Sequence, residues 1–281
     1  MDSAVKRFIR DQRFIVGALV LLLLIGWAIT WPMINPFDPL TVSYDQISLP
    51  PSGEHLMGTD QLGRDVMAMT ARGLQVSLLL ATTVAISSTI LGMGIGIAMG
   101  LFGGFVDRIG MRLIDAFNAL PHLLLSLVIV AMFRSVTALT VAIAVTHWTN
   151  TARLVRAMIS SISSRPYVTA AVQSGATMTY IALRHMIPTV MPQAIVAIVL
   201  MMPHAVWHES ALSFLGLGMP LEVPSIGTLL SDARQTVILG TWWQVLGPAI
   251  VLVATVLSVS AIGQSARDHL AKVPGAEETL L

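Results

Sequence analysis

Two histidines and a glutamate stand together at the end of a long apolar stretch. His204 and His208 are four residues apart, so a helix would place both imidazoles on one face, and Glu209 follows directly. Imidazole is a common ligand for nickel, zinc and copper, and His147 could join the pair in a cavity. We therefore predict that His147, His204, His208 and Glu209 line a translocation pathway that accepts a metal or a metal chelate, although no firm metal site is predicted.

Each of these residues also has a plainer interpretation. Imidazoles within a membrane helix also stabilise helix packing through hydrogen bonds, without any role in transport. An ionisable residue such as Glu209 inside a membrane helix is a functional-site hypothesis by default, but it could also be a charge at an interfacial helix end. The sequence leaves both alternatives open.

The sequence motifs do not support an enzyme. The segment His208–Leu212 resembles the start of a zinc-binding helix but lacks the second histidine that the metal requires. No Gly-x-Ser-x-Gly nucleophile motif occurs. Cysteine is absent, and no lysine lies between Lys6 and Lys272, which excludes a Walker A phosphate loop. We predict a chain that is not an enzyme and has no cofactor or nucleotide site of its own.

The composition is that of a membrane protein. The 281 residues are 55% hydrophobic and 11% charged, whereas a soluble domain has roughly 25% charged residues. The mean hydropathy is +0.78. Because 16 basic residues nearly balance 15 acidic ones, no nucleic-acid partner is predicted.

Uncharged apolar runs divide the chain into six predicted transmembrane helices. The predicted units are a cytoplasmic N-terminus (1–13), a first transmembrane helix (14–31), an external loop (32–73), a five-helix core (74–266) and a cytoplasmic tail (267–281). The core contains a cytoplasmic loop (153–188), an apolar hairpin (116–133 and 135–152) and a Pro/Gly-rich loop (216–234). A cleaved signal peptide is disfavoured, because bulky residues occupy 31–34 where a cleavage site would need small ones.

The distribution of basic residues supports this topology. Lysine and arginine concentrate in cytoplasmic segments, and twelve of the sixteen fall there if both termini are cytoplasmic. The four on the outside are Arg64, Arg72, Arg134 and Arg234.

Several short motifs, in order from His55 to Leu270, resemble binding-protein-dependent ABC permeases of the dipeptide, oligopeptide and nickel class. The external motifs are His55–Asp60, Gly63–Asp65 and Gly73–Leu78; the later ones are Gly103-Gly104, Asp107, Met111-Arg112, Asp115 with Pro121, Tyr167–Ala171, Gly175, Arg184–Pro188, Leu212–Gly218 and Arg267–Leu270. Three positions depart from the family pattern. Thr169 replaces the usual Glu, Ile226 the usual Trp, and Gln264 the usual Asp.

The resemblance implies an all-α, polytopic permease with the ABC importer fold in the bacterial cytoplasmic (inner) membrane. It implies a second, similar permease subunit, an external or periplasmic binding protein, and two cytoplasmic ATPase subunits that hold ATP and Mg. Membrane lipid is the remaining partner. The motif within the cytoplasmic loop implies contact with the ATPases; its residues are Thr169, Ala170, Ala171, Gly175, Arg184 and Pro188.

Residue types in that motif fit such a contact. The small side chains of Ala170, Ala171 and Gly175 would let a short helix seat closely in a groove on a partner, and Gly175 would permit the turn that follows.

Substrate and transport class remain open at this point. Short peptides are the broad default that the resemblance implies, while His147-Trp148, the His204/His208 pair and the segment Asp232–Gln235 favour nickel or another metal chelate slightly. The alternative class is a self-sufficient secondary transporter or channel, which would normally bury several ionisable residues and show inverted repeats. The sequence offers one candidate carboxylate and no repeat.

Overall fold

The computed structural model describes residues 2–35, 41–133, 135–220, 223–234 and 236–270, and these form α-helices joined by short loops, with no β-strand. The helices in these ranges are α1 (Asp2–Arg10), α2 (Gln12–Ile34), α3 (Val66–Phe102), α4 (Gly104–Asn118), α5 (His122–Phe133), α6 (Val136–Ser163), α7 (Pro166–Gln173), α8 (Met178–Ile181), α9 (Ile187–Phe214), α10 (Ile226–Arg234) and α11 (Trp243–Leu270). A π-helical turn, Ala182–Met186, joins α8 to α9, so that helix runs without interruption from Met178 to Phe214.

Four helices in the described part of the chain are long and apolar enough to cross a membrane. They are α2, α3, the continuous helix Met178–Phe214, and α11; α4 and α5 together could supply a fifth span. Helix α6 has 28 residues, but its second half is polar and includes Arg153 and Arg156. The all-α polytopic fold is therefore confirmed, while the six-span count and the cytoplasmic termini stay predictions.

The predicted span 116–133 is broken. Helices α4 and α5 meet at an angle of 84°, with Pro121 between them. Proline disfavours the helical conformation of the residue before it, which accounts for the break. Helix α5 has 12 residues and a length of about 18 Å, too short to cross a hydrocarbon layer of about 30 Å alone. Arg134, predicted to turn the hairpin, lies outside the described residues.

Glycines bring α3 and α6 into close contact. Gly92, Gly96 and Gly100 recur every four residues on one face of α3. A Cβ at Gly92 or Gly96 would lie 2.6 Å from the carbonyl oxygen of Trp148 or Ala152 respectively. Small residues at this spacing allow membrane helices to approach closely, so this face fixes how α3 and α6 cross.

Other helix boundaries differ from the predicted units. The predicted external loop 32–73 is shorter, because α2 continues to Ile34 and α3 begins at Val66, capped by the Asp65 side chain. The predicted cytoplasmic loop 153–188 begins inside α6 and ends inside α9. The predicted loop 216–234 contains the helix α10. Helix α11 reaches Leu270, and residues 271–281 of the predicted tail lie outside the described residues.

The segment 41–65, which lies within the predicted external loop, is folded against the start of α11. Thr59 is fully buried; its hydroxyl donates to the carbonyl of Gln46 and accepts from the N–H of Leu49 (2.7 Å). Its carbonyl accepts from Trp243 Nε1 (3.2 Å) and Gln244 Nε2 (3.0 Å). This segment is thus a structured cap and not a free loop.

A polar contact at the opposite end joins the first long helix to the last. The carboxylate of Asp11 accepts hydrogen bonds from Ser265 Oγ (2.8 Å) and from the backbone N–H of Arg13 (2.9 Å). These bonds hold the pKa of Asp11 well below its usual range. Arg13 also contacts Asp268 at 3.0 Å. The start of α2 is thereby fixed to the end of α11.

The topology can be tested with single cysteines, because the chain has none of its own. Ser52→Cys in the external cap and Ser164→Cys after α6 both replace exposed residues. We expect an impermeant maleimide to label Ser52→Cys from outside intact cells and Ser164→Cys only after permeabilisation. Labelling of both variants in intact cells would contradict the predicted topology.

Candidate functional site

Three histidines from three helices meet inside the bundle. His147 of α6 lies with its Nε2 3.2 Å from Nε2 of His208 on α9. The ring centroid of His147 is 4.5 Å from that of His208 and 5.2 Å from that of His122 on α5. The predicted association of His147 with His208 is present, whereas His204 on the same helix is exposed.

Hydrogen bonds determine which nitrogen of each ring donates. His147 Nδ1 lies 2.9 Å from the carbonyl oxygen of Ile143, which can only accept, so we assign the proton to Nδ1. His147 Nε2 is then an acceptor, and His208 Nε2 must donate to it. His208 Nδ1 is then a buried acceptor with no hydrogen-bond partner among the described residues. A water molecule, or an N–H group of a molecule passing through, would satisfy its lone pair.

The histidines are not arranged as a metal site. In the ranges that the structure describes, no group of three or more His, Cys, Asp or Glu side chains could hold a metal ion. The hydrogen bond between His147 and His208 also occupies the two nitrogens that would have to face a shared metal. The cluster as it stands is a hydrogen-bonded contact between α6 and α9.

Glu209 is fully buried and is the acceptor for hydroxyl groups from three segments. Ser77 Oγ of α3 donates to Oε2 at 3.0 Å. Ser213 Oγ, one turn later on α9, and Ser225 Oγ, just before α10, donate to Oε1 at 2.9 and 2.6 Å. The carboxyl group of Glu209 is therefore enclosed by protein groups and not exposed at the surface of the helix.

The same network holds the start of α10. The N–H of Ile226 donates to Ser77 Oγ at 3.2 Å, and the N–H of Thr228 donates to Ser225 Oγ at 3.1 Å. A Cβ at Gly227 would lie 2.7 Å from the Cα of Ser210 and 3.0 Å from Glu209 Oε1. Glu209 therefore ties α3, α9 and α10 together, and we call this set of contacts the Glu209 network.

The sequence prediction missed the partners in both clusters. His122 is far from the other histidines in sequence, and Ser77 is 132 residues from Glu209. Only Ser213 carried a usable signal, because residues four apart share a helical face.

The first part of the predicted coupling segment is the short helix α7, at the end of the bundle opposite the cap; Arg184 lies in the π-helical turn and Pro188 in the first turn of α9. Pro166 begins it, and Gly175 ends it with a left-handed φ of +82°. The N–H of Gly175 donates to Val172 and that of Ala176 to Ala171, both at 3.0 Å. This is a Schellman termination, which favours glycine at that position. Gly175 thus permits the turn, as predicted.

One side chain of α7 is buried in the bundle while most of the predicted coupling residues face outward. Val168 is buried and packs in a cluster with Ile159 of α6, Ile181 of α8 and Val190 of α9. Ala171 is partly buried, and the other predicted residues are exposed: Thr169, Ala170, Gly175, Arg184 and Pro188. The helix therefore presents an exposed surface, while Val168 anchors it to the bundle.

Long apolar helices, the structured cap 41–65 and a short exposed helix at the far end define a multi-pass membrane protein. Residues 92–272 match the family described as the inner membrane component of binding-protein-dependent transport systems. Residues 1–51 match the N-terminal transmembrane domain of oligopeptide transport permease C. The chain belongs to this family of inner membrane permeases, and it is a multi-pass protein of the bacterial inner membrane.

Two relatives from Bacillus subtilis align over nearly the whole chain. The dipeptide transport system permease protein is 34% identical over 270 residues, which cover 96% of this chain and 84% of the relative. The oligopeptide transport system permease protein is 32% identical over 269 residues, which cover 95% and 88%. The predicted family is confirmed.

Glu209→Ala is expected to destabilise the protein, because the hydroxyls of Ser77, Ser213 and Ser225 would lose their shared acceptor. Buried donors without a partner cost about 1–3 kcal/mol each, so with some relaxation we expect a loss of about 2–4 kcal/mol. Thermal unfolding of the purified protein in detergent measures it.

Two further variants serve as controls. Glu209→Gln keeps a carbonyl acceptor and should lose less stability than Glu209→Ala. The exposed Glu54 offers a matched Glu→Ala substitution that should change nothing. A Glu209→Ala protein that unfolds at the wild-type temperature would show that the network does not hold α10.

Proposed function

We propose that this chain is a permease subunit of an ATP-driven importer of short peptides. The family description names a binding-protein-dependent transport system, and the two Bacillus relatives are named for dipeptide and oligopeptide transport. A binding protein outside the membrane would deliver the peptide, a second permease would complete the pathway, and two ATPase subunits with ATP and Mg would drive it.

The nickel or metal-chelate substrate, slightly favoured from the histidines, is not retained. The names of the relatives give it no support, and the described residues hold no metal-ligand group. The rival class, a self-sufficient secondary transporter or channel, is disfavoured because the family depends on a binding protein.

One observation carries the mechanism that we propose: a single helix connects the coupling segment to the buried clusters. From Met178 to Phe214 it has 37 residues and a length of about 55 Å. Its first turns pack with α7 around Ile181, and its last turns hold His208 and Glu209. A partner that pushes α7 therefore moves the helix that carries the pathway residues.

The exposed face of α7 is the surface offered to an ATPase in this proposal. Tyr167 and Val172 are about half exposed there, and Thr169 and Ala170 lie between them. Thr169 cannot supply the negative charge of the usual Glu. Docking then depends on shape and on the exposed Arg165 and Arg184, which suit an acidic partner surface.

The substrate proposal is tested by uptake into proteoliposomes that contain the full transporter with its binding protein and ATP. We expect accumulation of radiolabelled trialanine that requires ATP and is competed by other short peptides. Nickel–histidine complexes serve as the control and should neither accumulate nor compete. ATP-dependent accumulation of nickel without peptide uptake would overturn the proposal.

The coupling role is tested with Ala170→Trp, which adds a bulky side chain on the exposed face of α7 without filling a buried space. We expect peptide-stimulated ATP hydrolysis to fall at least about tenfold, equivalent to about 1.4 kcal/mol in activation free energy. Ala157→Trp, at an exposed position of α6, is the matched control. Normal stimulation in the Ala170→Trp complex would remove α7 from the coupling role.

A further inference from the structure

A cavity of about 480 Å³ opens at the external end of the bundle. One wall is the cap segment Asp60–Arg64, and the other is the second half of α10, from Leu229 to Arg234. Met69 of α3 and Pro248 of α11 add apolar surface. Pockets for small ligands measure roughly 300–1,000 Å³, so this volume suits a molecule of two or three amino acids.

The two carboxylates at the cavity differ in how closely Arg64 contacts them. The carboxylate of Asp60 is bound tightly, with Oδ2 2.6 Å from Arg64 Nε. The carboxylate of Asp232 is 3.9 Å from Arg64 Nη2, beyond hydrogen-bond distance. Partial burial raises the pKa of Asp232, Arg64 opposes that rise, and Asp60 adds to it. Asp232 is therefore a partly desolvated carboxylate that would gain from a close cation.

A guanidinium lies on the same helix two residues further on. Arg234 is exposed at the cavity, and its Cζ lies 5.2 Å above the centre of the Phe214 ring. Stacking on an aromatic face holds the guanidinium plane while its N–H groups at the edge remain able to donate. The α10 wall of the cavity thus carries a carboxylate and a guanidinium, and the cavity also has apolar surface.

We propose that this cavity binds a short zwitterionic peptide, with the α-ammonium at Asp232 and the terminal carboxylate at Arg234. The inference rests on the proposed function, because it names a contact site for the same substrate class. An ammonium within hydrogen-bond distance would add a closer contact than the 3.9 Å ion pair of Asp232 with Arg64, and the guanidinium of Arg234 can bind a carboxylate through two parallel hydrogen bonds. The backbone and small side chains of the peptide would lie against Met69 and Leu229.

The wall that carries these groups is held in place. Gln61 Nε2 of the cap donates to the carbonyl of Asp232 at 3.1 Å, and the Glu209 network fixes the start of α10. A site with fixed walls loses less conformational entropy when a ligand enters. The cavity is also at the end of α9 that holds His208 and Glu209, so a peptide bound there lies next to the proposed pathway.

The test measures equilibrium binding of radiolabelled trialanine to the purified membrane complex in nanodiscs, with no binding protein added. Asp232→Asn should weaken binding at least about tenfold. N-acetyl-trialanine, which lacks the ammonium, should bind the wild type as weakly as trialanine binds Asp232→Asn. Asp232→Glu, which keeps the charge, should retain most of the affinity, and a melting curve for each variant reports its folding.

Asp45→Asn is the matched control, because it removes an exposed carboxylate from the cap outside the cavity. Unchanged trialanine binding by Asp232→Asn would overturn the inference, and so would equal wild-type affinity for trialanine and its acetylated form. A variant that binds trialanine normally but loses association with the binding protein would assign the cavity to protein docking instead. Uptake of trialanine by the wild type separates these failures from a failure of the peptide proposal itself.

Discussion

The arrangement at the end of the bundle that carries the cap depends on one buried carboxyl group. A charged or polar group inside a membrane protein is costly unless other protein groups satisfy it, since the hydrocarbon offers no water. Glu209 meets this requirement with hydroxyls from α3, from its own helix and from the segment before α10. Separating any of the three segments would leave the carboxyl group without one of its donors, which is costly. The three segments therefore form a single unit. Helix α10 is too short to be stable on its own, and it takes its position from that unit.

The two ends of the molecule are stabilised by different interactions. At the cap end, the polar bonds of Thr59 and Glu209 fix the cap and α10 to the long helices. At the other end, α7 is held through apolar contacts of Val168 and through the glycine turn at Gly175. Hydrogen-bonded networks with defined geometry resist sliding, whereas apolar contacts allow small shifts at low cost. The end proposed to receive the push is therefore the more adaptable one.

The sequence predicted the features that depend on local composition. Long apolar runs predicted the membrane helices, and a glycine after a short helix predicted the turn at Gly175, where φ is left-handed. The 84° bend between α4 and α5 could have been anticipated from Pro121. The pairing of Ser77 with Glu209 could not, because it joins residues of distant segments. His204 and His208 share a helical spacing, but the rotation of α9 against α6 decides which one meets His147, and only tertiary packing sets that rotation.

The helix from Met178 to Phe214 combines a fixed end with softer points nearer α7. Its last turns belong to the Glu209 network, while Pro192 and Pro203 each remove a backbone donor earlier in the helix. The π-helical turn at Ala182–Met186 adds a second departure from regular hydrogen bonding beside α7. In the proposed mechanism, a push on α7 would bend this helix at these softer points and change the tilt of its first half relative to the turns that carry His208 and Glu209.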